Sequence, residues 1–274
     1  MLKKVTITGG VHGNELTGVY LVKKFKKTPF VTKNIELDYI IANPKACKEN
    51  RRYIDYDLNR SFSKASLAQD SHIYEFERAK VLHERLKDSY FLIDLHTTTA
   101  NMGLTIVLSK DDLISNSLAK RLSYEFDDIK ILRWFSNIQG DFINSVVKHS
   151  ITLEVGPICQ GVLDPKIFFK CEEIVKRAVE ILDSNDLELD KKVEVFDIVK
   201  TVDFPREDGK ILAMIHPDLI GKDYSLLKSK DPIFLDFNKN TIYYDQEPMY
   251  AVFINEAAYY EKNIAFCLCK KSII

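Results

Sequence analysis

No run of apolar residues in this sequence is long enough to cross a bilayer, and Met1-Leu2-Lys3-Lys4 leads straight into a strand-like alternation. Neither a signal peptide nor a membrane span is expected. There is no charge excess: 39 Lys and Arg stand against 40 Asp and Glu, a net charge of -1. That balance gives no reason to expect nucleic acid or an anionic membrane as a partner. Local basic clusters, where they serve a function, are expected to hold a small anion. The five cysteines (Cys47, Cys159, Cys171, Cys267, Cys269) are odd in number and scattered, with no second pair at zinc-finger spacing. Reduced thiols in a cytoplasmic protein are expected. No internal repeat or low-complexity segment is present. The 274 residues suffice for one large domain or two smaller ones with an ample core. A homo-oligomer is compatible with the sequence.

What is present is an alternation of strand and helix patterns. A strand over residues 5–8 precedes a helix over 16–27, whose apolar positions (Leu16, Val19, Tyr20, Val22, Phe25) recur at helical spacing. A strand over 35–42 stops at Asn43-Pro44. Residues 45–71 read as a polar loop too long for an ordinary connection, the kind that carries function. A helix over 71–87 leads to 90–96, a nearly continuous apolar strand of the type buried on both faces of a parallel sheet. Strands over 104–108, 129–132 and 151–155 and helices over 111–126, 142–148 and 165–182 continue the pattern. The expected fold is α/β, a mainly parallel or mixed sheet with helices on both faces. The charged run 183–192 reads as a linker. It divides a domain over 1–190 from a smaller all-β domain over 191–274, with strands near 193–202, 211–215, 233–237, 241–244 and 249–254 and a strand-like tail at 267–269.

The stretch Gly9-Gly10-Val11-His12-Gly13-Asn14-Glu15 lies where the first strand opens into the first helix. Open α/β sheets bind their ligands at that carboxyl edge. His12 and Glu15, three apart, can converge on one point. An imidazole and a carboxylate are two of the ligands in a two-His, one-Glu zinc site. His96, the last residue of the buried strand, is the expected third ligand, with Asp94 on the same strand face to orient it. Taken alone, His96 reads as a strand cap; the His12 and Glu15 pair at a matching edge favours the ligand. Glu154 ends another interior strand, where a carboxylate is costly unless paired or working. It is the expected base that takes a proton from water and returns it to the leaving amine. Arg51, Arg52 and Arg60 in the long loop are expected to bind an anion or stabilise an oxyanion. The remaining histidines (His72, His83, His149, His216) read as structural or surface residues.

Several stretches together resemble the aspartoacylase/succinylglutamate desuccinylase family: Gly9 to Gly18, Arg52-Tyr53-Ile54-Asp55-Tyr56-Asp57-Leu58-Asn59-Arg60, Asp94-Leu95-His96-Thr97-Thr98-Thr99, Glu154-Val155-Gly156-Pro157, and Val252 to Lys262. They stand in the family's order along nearly the whole chain. The resemblance implies a zinc carboxypeptidase-like catalytic domain with a carboxyl-terminal β domain that narrows access to the cleft. It implies a zinc ion, one per chain, on His12, Glu15 and His96, with Glu154 as general base and acid and Arg52 polarising the acyl carbonyl. Asn59, Arg60 and Tyr259 would hold the amino-acid carboxylate. The implied reaction is hydrolysis of an N-acyl-L-amino acid, foremost N-acetyl-L-aspartate to aspartate and acetate.

One position departs from that pattern. Where the acetylaspartate enzymes carry an arginine for the substrate's side-chain carboxylate, ten residues before the catalytic glutamate, this chain has Asn144. Arg133 or Lys148 could supply the charge instead. Otherwise the substrate is an N-acetylated aromatic amino acid, as in the neighbouring branch of acylases. A catalytically silent metal-binding protein and a peptide-cleaving carboxypeptidase are the remaining readings, disfavoured by the intact residue set and by the β domain.

Overall fold

The computed structural model describes residues 2–135 and 141–274. The chain runs through β1 (Lys3–Gly9), α1 (Leu16–Lys27), β2 (Ile35–Ile41), α2 (Pro44–Glu49), α3 (Lys64–Ala68), α4 (Tyr74–Leu86), β3 (Phe91–Thr97) and β4 (Gly103–Leu108). It continues through α5 (Leu113–Glu125), β5 (Ile129–Arg133), β6 (His149–Gly156) and α6 (Pro165–Ser184). The β-rich remainder holds β7 (Glu194–Val202), β8 (Arg206–Glu207), β9 (Lys210–Ile211), β10 (Ala213–Ile215), β11 (Ser225–Leu227), β12 (Pro232–Asp236), β13 (Thr241–Tyr243), β14 (Met249–Val252) and β15 (Phe266–Ile273).

Ten strands form one sheet in the order β11-β14-β15-β7-β5-β4-β6-β3-β1-β2. Strands β2, β1, β3 and β6 are parallel. β4 runs antiparallel to β6, and β5 and β7 follow the direction of β4, so the sheet is mixed. From β1 the chain winds to β2 on one side and returns to β3 on the other. A crevice opens at such a reversal, outside the carboxyl ends of the strands.

Strand alternation decides which residues reach that crevice. On one face α1, α5 and α6 bury Leu21, Phe25, Leu118, Leu122, Val175 and Val179 against Val5, Ile7, Ile93, Ile151 and Leu153. Each such large side chain contributes roughly 1.5–3 kcal/mol by leaving water. The opposite face carries Ile40 and Leu92, covered by Ala79, Leu82 and Leu86 of α4 with Leu58 and Phe62. Period two along β3 and β6 places Asp94, His96, Thr152 and Glu154 on this second face, beyond the reach of α4.

The carboxyl-terminal part is rich in β structure, with its own core around Phe204, Ile215, Phe234 and Phe266, yet it shares the main sheet. β7 pairs with β5 at Leu132↔Phe196 and Arg133↔Asp197, and Arg133 Nη2 donates to Asp197 Oδ2 at 2.8 Å. The sheet therefore continues past residue 190 without a break.

Three local expectations need correction. Residues 45–71 are no bare loop: they hold α2, a 3-10 turn at Leu58–Arg60 and α3. Asn43 and Ser63 cap the two helices by accepting from Ala46 and Ser66 N–H. Glu75 accepts from the N–H groups of Ile54, Asp55 and Tyr56 at 2.8–3.1 Å, which fixes the stretch in between. The helix expected over 142–148 is a single 3-10 turn at Ile143–Ser145. The strand expected over 211–215 breaks at Leu212, whose N–H turns to Pro205 O. The five cysteines form no disulfide. Among the described residues no helix is long and apolar enough to cross a membrane.

Candidate active site

β1 ends in a turn that only small residues permit. Gly10 has φ +72°, and a Cβ there would lie 2.6 Å from Cys47 Sγ. A Cβ on Gly13 would fall 2.2 Å from the Ala46 carbonyl carbon. The turn delivers His12, and Glu15 N–H donates to His12 O at 3.2 Å just before α1 begins. Glu15 Oε1 then lies 2.6 Å from His12 Nδ1. Its Oε2 lies 3.0 Å from His96 Nδ1 and accepts from Thr97 N–H at 3.0 Å. All three side chains are buried.

Each imidazole is held from behind by a carboxylate. His12 Nε2 is 3.1 Å from Asp57 Oδ1, and His96 Nε2 is 2.9 Å from Asp94 Oδ2. Asp94 is itself held, accepting from the Thr8 hydroxyl at 2.6 Å. A carboxylate at Nε2 keeps a proton there and leaves the Nδ1 lone pair for whatever faces it. The ligand atoms of His12, Glu15 and His96 lie within 4.8 Å of one another. Lone pairs converging on one buried point, with carboxylates behind both rings, are a donor set that fits a divalent ion of the zinc type. The same crowding governs the protons of the polypeptide alone. Burial disfavours a charged His96, but Asp94 and Glu15 outweigh it and raise its pKa well above the usual value. Burial would raise Glu15, but His12 and His96 outweigh it and lower that carboxyl.

Glu154 is the register partner of His96 across β3 and β6 and faces the same cavity. Among the described residues no hydrogen bond or ion pair reaches its carboxylate. Burial is the main cause that pushes it up to about 8; His96 opposes, Glu15 and Glu256 add, and Arg52 opposes. Arg52 enters from the 45–71 stretch, with Nη2 3.2 Å from Asp57 Oδ2 and Nη1 3.5 Å from Glu15 Oε1. Asp57 thus ties the histidine and the arginine together. Asn59 accepts from Ile143 N–H through Oδ1 at 3.1 Å, which frees its amide nitrogen for the cavity. Arg60 stacks 4.5 Å over the Phe142 ring and has no carboxylate partner among the described residues. Tyr259, on the 3-10 turn Ala257–Lys262, packs against Phe253 with ring centroids 5.2 Å apart and against Trp134 at 6.2 Å. Burial raises its pKa well above the usual value, which keeps the hydroxyl a donor.

The eight residues that the resemblance assigns to the site, His12, Glu15, Arg52, Asn59, Arg60, His96, Glu154 and Tyr259, line this one cavity, whereas Arg51, also expected to bind an anion, is exposed and pairs with Glu49 at 3.6 Å. Asn144 lines it too, while Arg133 and Lys148 do not. Arg133 is engaged by Asp197 and Ser272, and Lys148 is exposed. None of the other histidines lines the cavity among the described residues. The sequence reading missed Asp57 behind His12, the aromatic wall of Trp134, Phe142 and Phe253, and Glu256. Glu256 accepts from the hydroxyl of Thr98, from N–H and hydroxyl of Thr99 at 2.7 and 2.9 Å, and from Ala100 N–H at 3.1 Å. It thereby clamps the loop that follows His96. No local spacing marks these residues, because their partners lie far away in sequence.

Residues 1–182 match the model of the succinylglutamate desuccinylase/aspartoacylase catalytic domain, and residues 191–271 match that of the AstE/AspA barrel-sandwich hybrid domain. A probable aspartoacylase of Trichodesmium erythraeum is 42% identical over 288 residues, covering 100% of this chain and 98% of that one. The N-acyl-aromatic-L-amino acid amidohydrolase (carboxylate-forming) A of Danio rerio is 40% identical, covering 97% of this chain and 88% of its own. Among solved structures, murine aminoacylase 3 superposes with a TM-score of 0.94 at 31% identity, over 100% of this chain and 96% of that one. Matches of this extent, spanning both the helical and the β-rich parts, show that the chain belongs to the succinylglutamate desuccinylase/aspartoacylase family.

Proposed function

We propose that this chain is a zinc-dependent amidohydrolase that cleaves the acyl–nitrogen bond of an N-acyl-L-amino acid, giving the free amino acid and a carboxylate. The observation that carries the reading is Glu154, without a partner among the described residues and raised in pKa, beside a buried His12–Glu15–His96 donor set. Those three residues would hold one zinc ion, whose chemistry there is that of a Lewis acid that activates water and an acyl carbonyl. Glu154 takes the proton from the attacking water and hands it to the leaving nitrogen, a task suited to a carboxyl titrating near neutrality. Arg52, fixed by Asp57, directs its guanidinium at the oxygen that becomes negative when the carbonyl is attacked. Arg60, with the Asn59 amide and the Tyr259 hydroxyl, holds the α-carboxylate; Arg60 Nη1 donates to Asn59 O at 2.7 Å, and no carboxylate pairs with it among the described residues. Residues 191–274 serve as the wall that limits access, since Phe253, Glu256, Ala258 and Tyr259 line the cavity from that side. A small acyl amino acid fits such a site better than a polypeptide.

The side-chain end of the cavity favours an uncharged, aromatic substrate. Once Arg52 and Arg60 are assigned, no Lys or Arg lines the cavity among the described residues, and residues 136–140 contain neither. N-acetyl-L-aspartate is the second reading, supported by the likeness to relatives named probable aspartoacylases. The ratio of kcat/KM for N-acetyl-L-tyrosine and N-acetyl-L-aspartate on the zinc-loaded protein decides between them. A ratio well above one supports the aromatic reading, a ratio well below one the aspartate reading. Hydrolysis of neither, with zinc bound, would leave a metal-binding protein without this activity.

A further inference from the structure

We infer that the end of the cavity remote from Glu154 reads a hydroxyl on an aromatic substrate side chain, and that Ser109 and Asn144 read it. This rests on the deacylase reading above and narrows its substrate class. Asn144 and Ser109 line the cavity, and their buried atoms Oδ1 and Oγ have no hydrogen-bond partner among the described residues; the same holds for Nε of Arg52, which is already assigned to the acyl carbonyl. Asn144 is only 4% exposed. Native proteins rarely leave such atoms dry, and a ligand that satisfies them gains selectively over one that does not.

Their position follows from the sheet. Thr152 precedes Glu154 by two positions on β6, so it shares that face about 7 Å back along the strand. Asn144 is anchored there, its Nδ2 donating to Thr152 Oγ1 at 2.6 Å. Val107 of β4 lies opposite Thr152, and Ser109, just past the end of β4, lines the cavity as well. The apolar and aromatic part of the cavity wall is Val107, Trp134, Phe142 and Phe253.

A side chain that fills the space must cross about 7 Å of apolar and aromatic surface and end in a small polar group. With Nδ2 held by Thr152, Asn144 offers Oδ1 as an acceptor, while the Ser109 hydroxyl can donate or accept, so together they match a group that does both. A phenol has that reach and that chemistry. A benzyl group leaves both atoms unpaired, and a carboxylate meets no cation.

The test compares kcat/KM for N-acetyl-L-tyrosine and N-acetyl-L-phenylalanine on the zinc-loaded full chain. Tyrosine is expected to be favoured by at least about tenfold, and the preference should shrink in Ser109→Ala and in Asn144→Leu. Equal rates, or a preference for phenylalanine, overturn the inference and leave the deacylase standing. Faster hydrolysis of N-acetyl-L-aspartate than of either overturns it as well. Failure to hydrolyse any acyl amino acid overturns both this inference and the reading beneath it.

Discussion

His96 on β3 and Glu154 on β6 are register partners in adjacent parallel strands, so both side chains leave the same face of the sheet on backbones about 4.8 Å apart. The proposed metal ligand and the proposed base thus sit on rigid elements, and one can be changed without moving the other. Glu154→Gln keeps the shape and removes the proton carrier. It is expected to lower kcat by at least about 100-fold while zinc content, by elemental analysis, stays at one per chain. Unchanged turnover would rule Glu154 out as the base.

Asp57 touches both His12 Nε2 and Arg52 Nη2, at 3.1 and 3.2 Å. Asp57→Asn should therefore weaken two functions together. Zinc affinity, measured by chelator competition, should drop roughly 10- to 100-fold. The kcat of the fully zinc-loaded variant should fall as well, because Arg52 loses the carboxylate that aims it. A variant with weakened zinc but normal saturated turnover would separate Asp57 from Arg52.

What the sequence made legible were residues whose place is set by their own element. His12 and Glu15 follow from a glycine turn into α1, and His96 and Glu154 from the ends of apolar strands. Asp57 and Glu256 were silent because the residues that give them their place at the site, His12 and Thr98, lie 45 and 158 positions away, and no periodicity links them. The 45–71 stretch misled for a related reason. Its short helices have little apolar pattern and are held by caps and by Glu75, contacts that exist only after the chain has folded back. The charged run at 183–192 was visible, but the β5–β7 pairing that carries the main sheet past it rests on two residue pairs distant in sequence.

Glu256 satisfies several donors around the loop after His96 through one oxygen, Oε2, and Ala258 N–H through Oε1. Glu256→Ala leaves the N–H groups of Thr99 and Ala258 unpaired, at about 1–3 kcal/mol each, while Ala100 N–H keeps the Thr98 hydroxyl. A fall in Tm of roughly 10 °C is expected for a chain of this size. Glu256→Gln can keep its oxygen at the Oε2 position and forfeits only the Ala258 bond, so its loss should be less than half as large. Equal losses for the two would show that charge, not acceptor geometry, is what the loop requires.

Asp223 joins the same two regions from another side, accepting from Asn101 N–H at 3.1 Å and Ile254 N–H at 3.0 Å. Burial pushes its carboxyl from 3.8 up to about 6 against the pull of those backbone bonds. A carboxyl raised in the folded state binds its proton more tightly there than in the unfolded chain. Its contribution to stability is complete below about pH 4, fades as pH rises through about 6, and is constant above that. Asp223→Asn cannot titrate, so it lacks this slope. His12, Glu15, His96 and every other titrating group are common to both proteins, and subtracting one unfolding free energy from the other cancels them. The difference should change by roughly 2–3 kcal/mol between about pH 4 and pH 7, with the wild type gaining relative stability on the acid side. Urea unfolding at four pH values across that window measures it, and a difference that stays flat would mean Asp223 is ionised at its usual pH despite its burial.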